Sequence, residues 1–197
     1  MKKELRARLR AVLDAMTPAA RQAQSLQAAV HLFAEREYLR AEIIMIYLSL
    51  PQEADTTPLV LQAWKDRKRI VAPQISWESK RMIPVQISNL DTDITDTPNG
   101  VREPVRGTPL PIELIDLVIV PGLGFDPQGN RLGRGRGCYD RFLSRPGFKG
   151  VTCGFAFEEQ VVDSIPSKPH DVKVKMLVTD RAVRRFAKRR AGPPPGP

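Results

Sequence analysis

The segment 122–138 combines backbone freedom with positive charge in a way that suits phosphate binding. Its seventeen residues include six glycines and three arginines, Arg131, Arg134 and Arg136. Glycines let backbone N–H groups approach a ligand closely, and arginines supply forked donors that match phosphate oxygens. Neither a Gly-Lys-Ser/Thr sequence nor the Gly-x-Gly-x-x-Gly spacing is present, which excludes the Walker A and dinucleotide motifs. We interpret the segment as a phosphate cradle, with a flexible surface loop as the alternative.

Two aspartates near this segment are candidate ligands for a magnesium ion. Asp140 follows the glycine-rich stretch, and Asp171 ends the turn Lys168-Pro-His-Asp. Mg²⁺ prefers a few carboxylates together with phosphate oxygens and water, so two acids beside a triphosphate form a reasonable site. A helix cap or a turn residue is the alternative for each acid alone. We interpret His31 and His170 as structural residues.

Three further charged residues have both a binding and a structural interpretation. Glu53 follows a predicted strand, where its carboxylate can accept hydrogen bonds from an amide or an amino-pyrimidine edge. An acid at the entry of the next helix is the alternative. Lys2 and Arg6 are four residues apart and point from one face of the first helix, so a solvated basic face is the alternative for that pair.

The elements that must position these residues alternate between helix and strand. Apolar residues at helical spacing and Thr-Pro capping pairs predict helices over 2–13, 19–37, 59–67 and 139–143. Apolar and β-branched runs predict strands over 43–48, 69–72, 82–87, 117–120, 150–157 and 176–179. Residues 88–113 are rich in Pro, Gly, Asp and Thr, which predicts loop or edge structure.

This alternation predicts an α/β fold in which helices cover a mostly parallel sheet. Ligands bind at the carboxyl ends of the strands in such sheets. We therefore expect a site in the loops after Leu48, Ala72 and Val120.

Composition excludes several classes of protein. A chain of 197 residues fits one domain with a small appendage, and 42% hydrophobic with 27% charged residues fits neither a disordered chain nor a membrane protein. The arginines of residues 1–10 interrupt any secretory leader. The spacing of Cys138 and Cys153 matches neither a zinc site nor a redox pair, so both are expected as reduced thiols. We expect a cytoplasmic protein.

The net charge of +9 lies at the two ends of the chain. Residues 1–10 carry five Lys/Arg and one Glu, and residues 181–197 carry six Lys/Arg and no acid. Nucleic-acid binders usually spread positive charge over a folded face, so no specific nucleic-acid partner is expected. The Pro-rich tail 181–197 is expected as a solvated, frayed end, with a short basic helix over 181–190 as the alternative.

The order of these motifs resembles the 5-formyltetrahydrofolate cyclo-ligase family, also called methenyltetrahydrofolate synthetases, from Lys2 to about Asp180. The matching motifs are Lys-Lys-Glu-Leu-Arg6, Tyr-Leu-Ser-Leu-Pro-Gln-Glu53, Gly100-Val-Arg-Glu-Pro104, Val-Pro-Gly-Leu-Gly-Phe-Asp126, Arg131-Leu-Gly-Arg-Gly-Arg-Gly-Cys-Tyr-Asp140 and Pro169-His-Asp171. The resemblance implies a single domain over 1–180. Its fold would be a three-layer sandwich with a mostly parallel central sheet flanked by helices, of the NagB/RpiA/CoA-transferase-like type.

The resemblance also implies an activity: ATP- and Mg²⁺-dependent cyclisation of 5-formyltetrahydrofolate, with or without additional glutamates, to 5,10-methenyltetrahydrofolate. The γ-phosphoryl group would pass to the formyl oxygen, and N10 would then displace phosphate. Arg134 and Arg136 would be catalytic, Asp140 and Asp171 would hold the metal, and the folate would contact Leu48, Glu53 and Tyr139. The ATP site would comprise Lys2, Arg6, Arg131, Leu132, Gly133, Arg134, Gly135, Arg136, Gly137, Cys138 and Tyr139.

Three positions depart from the family pattern. Cys138 stands where the family commonly has the first of two tyrosines, which removes an aromatic contact or a hydroxyl. Arg136 stands where Gly or Lys is usual, and the stretch 173–175 is basic where an acid is more usual. No proposed metal or phosphate ligand is lost. An ATP-binding paralogue with a different substrate and a nucleic-acid-associated protein that uses the basic tail are kept as alternatives.

Overall fold

The computed structural model describes residues 1–76, 78, 81–97 and 100–186. Its helices are α1 (Lys2–Ala15), α2 (Pro18–Phe33), α3 (Arg36–Arg40), α4 (Thr57–Lys65) and α5 (Cys138–Leu143). Its strands are β1 (Ile43–Met45), β2 (Arg69–Ser76), β3 (Arg81–Ile87), β4 (Ile94–Asp96), β5 (Arg102–Pro104), β6 (Leu117–Val120), β7 (Gly124–Phe125), β8 (Arg131–Leu132), β9 (Val151–Phe155), β10 (Met176–Val178) and β11 (Val183–Arg185).

Within these residues, seven strands form the central sheet in the order β11-β10-β9-β6-β1-β2-β3. The five inner strands run parallel, and β3 and β11 pair antiparallel at the two edges. The inner strands β1 and β6 are buried at every position, as their unbroken apolar sequences predict. The expected α/β fold with a mostly parallel sheet is confirmed.

Alternate residues of the inner strands pack into two separate cores, one on each side of the sheet. Ile44, Leu117 and Ile119 face the core that includes buried residues of α1, α2 and α4. Their neighbours, such as Met45 and Val118, face the core that includes α5. This alternation follows from the twofold side-chain period of a strand and produces the three layers.

The predicted helix 19–37 is wrong at its end, because α2 stops at Phe33 and a second helix, α3, begins at Arg36. The break turns Tyr38 inward, where it is buried against Phe33 with ring centroids 5.1 Å apart. The Tyr38 hydroxyl donates a hydrogen bond to Asp66 Oδ2 at 2.5 Å. A long-range contact therefore sets a boundary that helical periodicity alone does not mark.

Other predicted elements are confirmed with different lengths. The strand 69–72 extends to Ser76, because β3 pairs with β2 along its whole length. The strand 43–48 is shortened to β1, although Ile46 N–H still donates to Val71 O. The loop-rich stretch 88–113 contains the short hairpin of β4 and β5. No described helix has the length and apolar character needed to span a bilayer.

The start of the tail forms the edge strand β11, neither a helix nor a frayed end. Arg184 donates to Glu158 Oε1 at 2.5 Å, and Arg185 pairs with Glu35 and Glu37 beyond the end of α2. These ion pairs attach both arginines to neighbouring elements. Residues 187–197, the remainder of the predicted tail, lie outside the described residues.

We expect Glu158→Gln to lower the free energy of unfolding by about 1 kcal/mol at pH 7. Burial raises the pKa of Glu158, but hydrogen bonds from Arg184 and Thr179 outweigh it, so the pKa is lowered. The stabilisation is complete above the unfolded pKa of about 4.3 and is lost as pH falls through the lower folded value. Urea unfolding at several pH values would measure the difference in free energy of unfolding between the variant and the unaltered protein, which we expect to decrease at acidic pH.

Glu42→Gln provides the control, since Glu42 is exposed. A Glu158→Gln deficit that stays constant below pH 4 would contradict the role assigned to the charged pairs.

Candidate functional site

A cavity of about 1060 Å³ lies at the carboxyl ends of the parallel strands. Leu48 follows β1, Pro73 is in the second half of β2, and Pro121 follows β6, and all three line the cavity. A pocket is confirmed after Leu48 and Val120, whereas the loop expected after Ala72 is wrong, because β2 continues to Ser76 and lines the cavity as a strand. The glycine-rich segment and the first residues of α1 complete the walls.

The glycine-rich segment takes a backbone path that only glycine adopts without strain at two positions. Gly135 has φ +106° and Gly137 has φ +65°, and Gly137 immediately precedes α5. Upstream, the hairpin of β7 and β8 is closed by Asp126, whose Oδ1 accepts hydrogen bonds from the N–H groups of Gln128 and Asn130, both at 2.9 Å. Local features of the sequence, the two glycines and the Asp126 turn, therefore set the path of the segment, which lines the cavity.

Arg131 anchors the segment to α5. Its Nη2 donates to Asp140 Oδ1 at 3.0 Å and its Nη1 to Pro121 O at 3.2 Å, and the side chain is only 5% exposed. Its guanidinium carbon lies 5.6 Å from the ring centroid of Tyr139. The Arg131 Nε is buried without a hydrogen-bond partner. Two of the five guanidinium N–H donors of Arg131 are therefore engaged in these hydrogen bonds.

The two predicted metal ligands line the same cavity. Asp140 Oδ1 also accepts from Val172 N–H at 3.1 Å, which places the Asp140 carboxylate next to the residue after Asp171. Asp171 Oδ2 accepts from Lys2 Nζ at 2.6 Å and from Lys168 N–H at 2.7 Å. Burial raises the pKa of Asp171, but these hydrogen bonds outweigh it and lower the pKa.

The donor set fits a magnesium ion that is shared with phosphate. The hydrogen bonds above engage one oxygen of each carboxylate, Asp140 Oδ1 and Asp171 Oδ2. No group of three or more His, Cys, Asp or Glu suited to a metal occurs among the described residues. Two carboxylates match Mg²⁺, which commonly completes its shell with phosphate oxygens and water.

Both predicted ligands of the first helix contact residues that line the cavity. Lys2 contacts Asp171, and Arg6 Nε donates to Gly133 O at 2.9 Å. Arg136 also lines the cavity. The solvated-face interpretation of Lys2 and Arg6 is wrong, because both side chains cross to residues more than a hundred positions away along the chain.

Glu53 and Arg134 form an ion pair across the cavity. Arg134 donates to Glu53 Oε1 from Nε at 3.1 Å and from Nη2 at 2.9 Å. The other oxygen, Oε2, accepts from Leu50 N–H at 3.0 Å. Glu53 is therefore a cavity residue and not a helix-entry acid, and its position is set by the turn after β1.

Two tyrosines, Tyr47 and Tyr139, line the cavity together with Glu53. Burial raises the pKa of both Tyr47 and Tyr139, and the Glu53 carboxylate adds to the effect. Tyr47 donates its hydroxyl proton to Ala54 O at 3.0 Å. The Tyr139 hydroxyl is buried with no hydrogen-bond partner. A buried, unpaired hydroxyl at a cavity wall is suited to a polar ligand atom.

Sequence reasoning missed several lining residues. The cavity is also lined by Tyr47, Arg10 and Lys168. Tyr47 lies in an apolar run that equally indicates a core position. Arg10 lies one helical turn beyond Arg6. That spacing was the available signal for Arg10. His170 lines the cavity with its ring 74% exposed.

Both cysteines are free thiols, as expected. Cys138 is half-buried at the start of α5, and its Sγ lies 3.7 Å from Arg141 Nη2. Burial raises the pKa of Cys153, which belongs to the core. His31 is structural, since its Nδ1 lies 2.8 Å from Thr179 O.

Comparison with known proteins gives consistent matches. The model of the 5-formyltetrahydrofolate cyclo-ligase family matches residues 1–180. A 5-formyltetrahydrofolate cyclo-ligase of Mus musculus is 34% identical over 88% of this chain and 90% of its own, and that of Escherichia coli K12 is 30% identical over 86% and 94%.

Among solved structures, the NMR structure of the 5,10-methenyltetrahydrofolate synthetase of Aquifex aeolicus superposes with a TM-score of 0.84. It is 29% identical, and the match covers 96% of this chain and 95% of that one. The match supports the three-layer arrangement described above. Family model, relatives and fold agree, and the chain belongs to the 5-formyltetrahydrofolate cyclo-ligase family.

Proposed function

We propose that this protein catalyses the ATP-dependent cyclisation of 5-formyltetrahydrofolate to 5,10-methenyltetrahydrofolate, with release of ADP and phosphate. The observation that carries the proposal is the shared cavity, which the glycine- and arginine-rich segment lines together with Glu53, Tyr47 and Tyr139. One wall has the chemistry of a phosphate site, and the other has acceptors and aromatic rings for a pterin. Family membership supplies the reaction.

The chemistry requires activation of a poor electrophile. A formamide carbonyl resists attack, and its oxygen is a poor leaving group. Transfer of the γ-phosphoryl group to that oxygen turns the oxygen into part of a phosphate leaving group. N10 then attacks the formyl carbon and loses its proton. The C–O bond breaks, and phosphate is released. Such phosphoryl transfer depends on positioning and charge neutralisation.

In this proposal the cations of the cavity hold the triphosphate. Arg134 and Arg136 neutralise charge on the group in transfer, while Lys2, Arg6 and the buried Arg131 position the nucleotide. The remaining members of the ATP site are Leu132, Gly133, Gly135, Gly137, Cys138 and Tyr139. Backbone N–H groups of the glycines provide donors that need no side-chain reorganisation.

Asp140 and Asp171 would hold Mg²⁺. When bound, the ion neutralises phosphate charge and orients the triphosphate. Arg131 and Lys2 already fix the two carboxylates, so little ordering remains when the ligand arrives.

At the other wall, Glu53 would accept hydrogen bonds from the amino-pyrimidine edge of the pterin, and Leu48 would pack against its ring. The unpaired Tyr139 hydroxyl would contact the folate. Cys138 supplies a smaller, less polar surface than the tyrosine usual in the family. We also infer one catalytic domain over residues 1–180, the extent of the family match, and a cytoplasmic location, in keeping with two free thiols.

We expect Arg134→Ala to lower kcat about 100-fold or more, because a cation at the transferred group is lost. The measurement is the near-ultraviolet absorbance of the methenyl product with MgATP and 5-formyltetrahydrofolate. Arg36→Ala is the matched control, since Arg36 is exposed and pairs with Glu37 on α3. Absence of turnover in the unaltered protein would refute the proposed activity.

We expect Asp140→Asn and Asp171→Asn each to raise the Mg²⁺ concentration for half-maximal turnover about tenfold, because each removes a charged ligand. The exposed Asp163, changed to Asn, should leave the Mg²⁺ titration unchanged. Unchanged Mg²⁺ titrations in both Asp140→Asn and Asp171→Asn would contradict the assignment of the two aspartates as metal ligands.

We expect Tyr139→Phe to raise KM for the folate while leaving the melting temperature of the free protein unchanged or higher, since its buried hydroxyl has no partner to lose. Tyr38→Phe is the contrasting variant. Its hydroxyl donates to Asp66, so about 1 kcal/mol of stability should be lost. Equal destabilisation by the two changes would contradict an unpaired Tyr139 hydroxyl.

A further inference from the structure

The Glu53–Arg134 ion pair joins two walls of the cavity that are 81 residues apart in sequence. Two nitrogens of Arg134 share one oxygen of Glu53. The Glu53 side chain is 11% exposed and the Arg134 side chain 42%. In the ligand-free protein the pair therefore joins a largely buried glutamate to a more exposed arginine.

Glu53 is the fixed partner. Its Oε2 is held by Leu50 N–H within the turn after β1. Arg134 lies between Gly133 and Gly135, and Gly133 O is held by Arg6. Because the backbone is tethered and the Arg134 side chain is open to solvent, the guanidinium can leave Glu53 without unfolding the segment.

The proposed function assigns the two partners to different ligands. Arg134 would serve the terminal phosphates and Glu53 the pterin. Each ligand competes with the ion pair for its residue, because Arg134 Nε and Nη2 and Glu53 Oε1 are engaged in it. When the first ligand draws its residue out of the pair, the second finds its own residue already released.

We propose that the Glu53–Arg134 ion pair couples nucleotide and folate binding, so that each ligand increases the affinity for the other. This inference rests on the proposed function of the cavity. Linkage requires the same factor in both directions. A partly exposed ion pair is weak, so we expect a factor of roughly three to five.

The Glu53 carboxylate has hydrogen-bond donors both in the empty cavity and in the folate-bound one. Arg134 balances the carboxylate in the empty cavity, and the N–H donors of the amino-pyrimidine edge replace it when folate is bound. With the nucleotide alone, Glu53 is half-satisfied by Leu50 N–H and attracts those donors more strongly.

The test measures Kd values by titration calorimetry for a non-hydrolysable ATP analogue with Mg²⁺ and for 5-formyltetrahydrofolate, each alone and with the other at saturation. In the unaltered protein each Kd should fall three- to fivefold when the other ligand is present. In Arg134→Ala this factor should fall to about one, and the folate alone should bind as tightly as, or up to fivefold more tightly than, in the unaltered protein.

Glu53→Gln provides the reciprocal arm. It should weaken folate binding, yet the nucleotide alone should bind more tightly, because Arg134 is no longer held by a carboxylate. Arg36→Ala, which removes an exposed ion pair outside the cavity, should keep the full coupling factor.

A coupling factor that is the same in Arg134→Ala and the unaltered protein would overturn the inference. So would weaker binding of folate alone to Arg134→Ala, since that would make the ion pair a support of the folate pocket. Failure of the unaltered protein to bind either ligand would instead refute the proposed function. Independent binding of both ligands would refute only the coupling.

Discussion

The partly buried ion pair between Arg131 and Asp140 is the interaction on which the site depends. The Arg131 side chain is almost fully buried, and a buried charge without a partner is costly, so the pair holds β8 and the start of α5 at a fixed separation. The residues between them, 133–137, are thereby tethered at both ends while their backbone faces the cavity. Two glycines with positive φ permit that path. The result is a loop that is prepared for an anion before any ligand arrives.

Positive charge exceeds negative charge among the residues that line the cavity. Each of the acids that line it in the described part of the chain has a cation: Glu53 has Arg134, Asp140 has Arg131 and Asp171 has Lys2. Arg6 and Arg10 add positive charge beyond these pairs. An anionic nucleotide is therefore attracted by the surplus, and the pairs that it disturbs are where binding of one ligand can influence the other.

The parallel sheet explains why these groups meet. Strands β1, β2 and β6 run in the same direction, so the segments that follow them emerge at one edge. The antiparallel edge strands, β3 and β11, close the sheet on either side. At the β11 edge, ion pairs from Arg184 and Arg185 to Glu158, Glu35 and Glu37 connect the end of the described chain to the rest of the domain.

The sequence by itself determined the features that depend on neighbouring residues. The Thr17 cap of α2, the apolar spacing of α1, the continuous strand β6 and the glycine-arginine composition of the cradle are local properties. The position of the cavity followed from the strand order. Only the tertiary structure decided which charges meet. Lys2 and Asp171 are 169 residues apart, Arg134 has Glu53 as its partner, and Tyr38 of α3 donates to Asp66. The partner of a side chain depends on proximity in three dimensions, which the spacing of residues along the chain does not indicate.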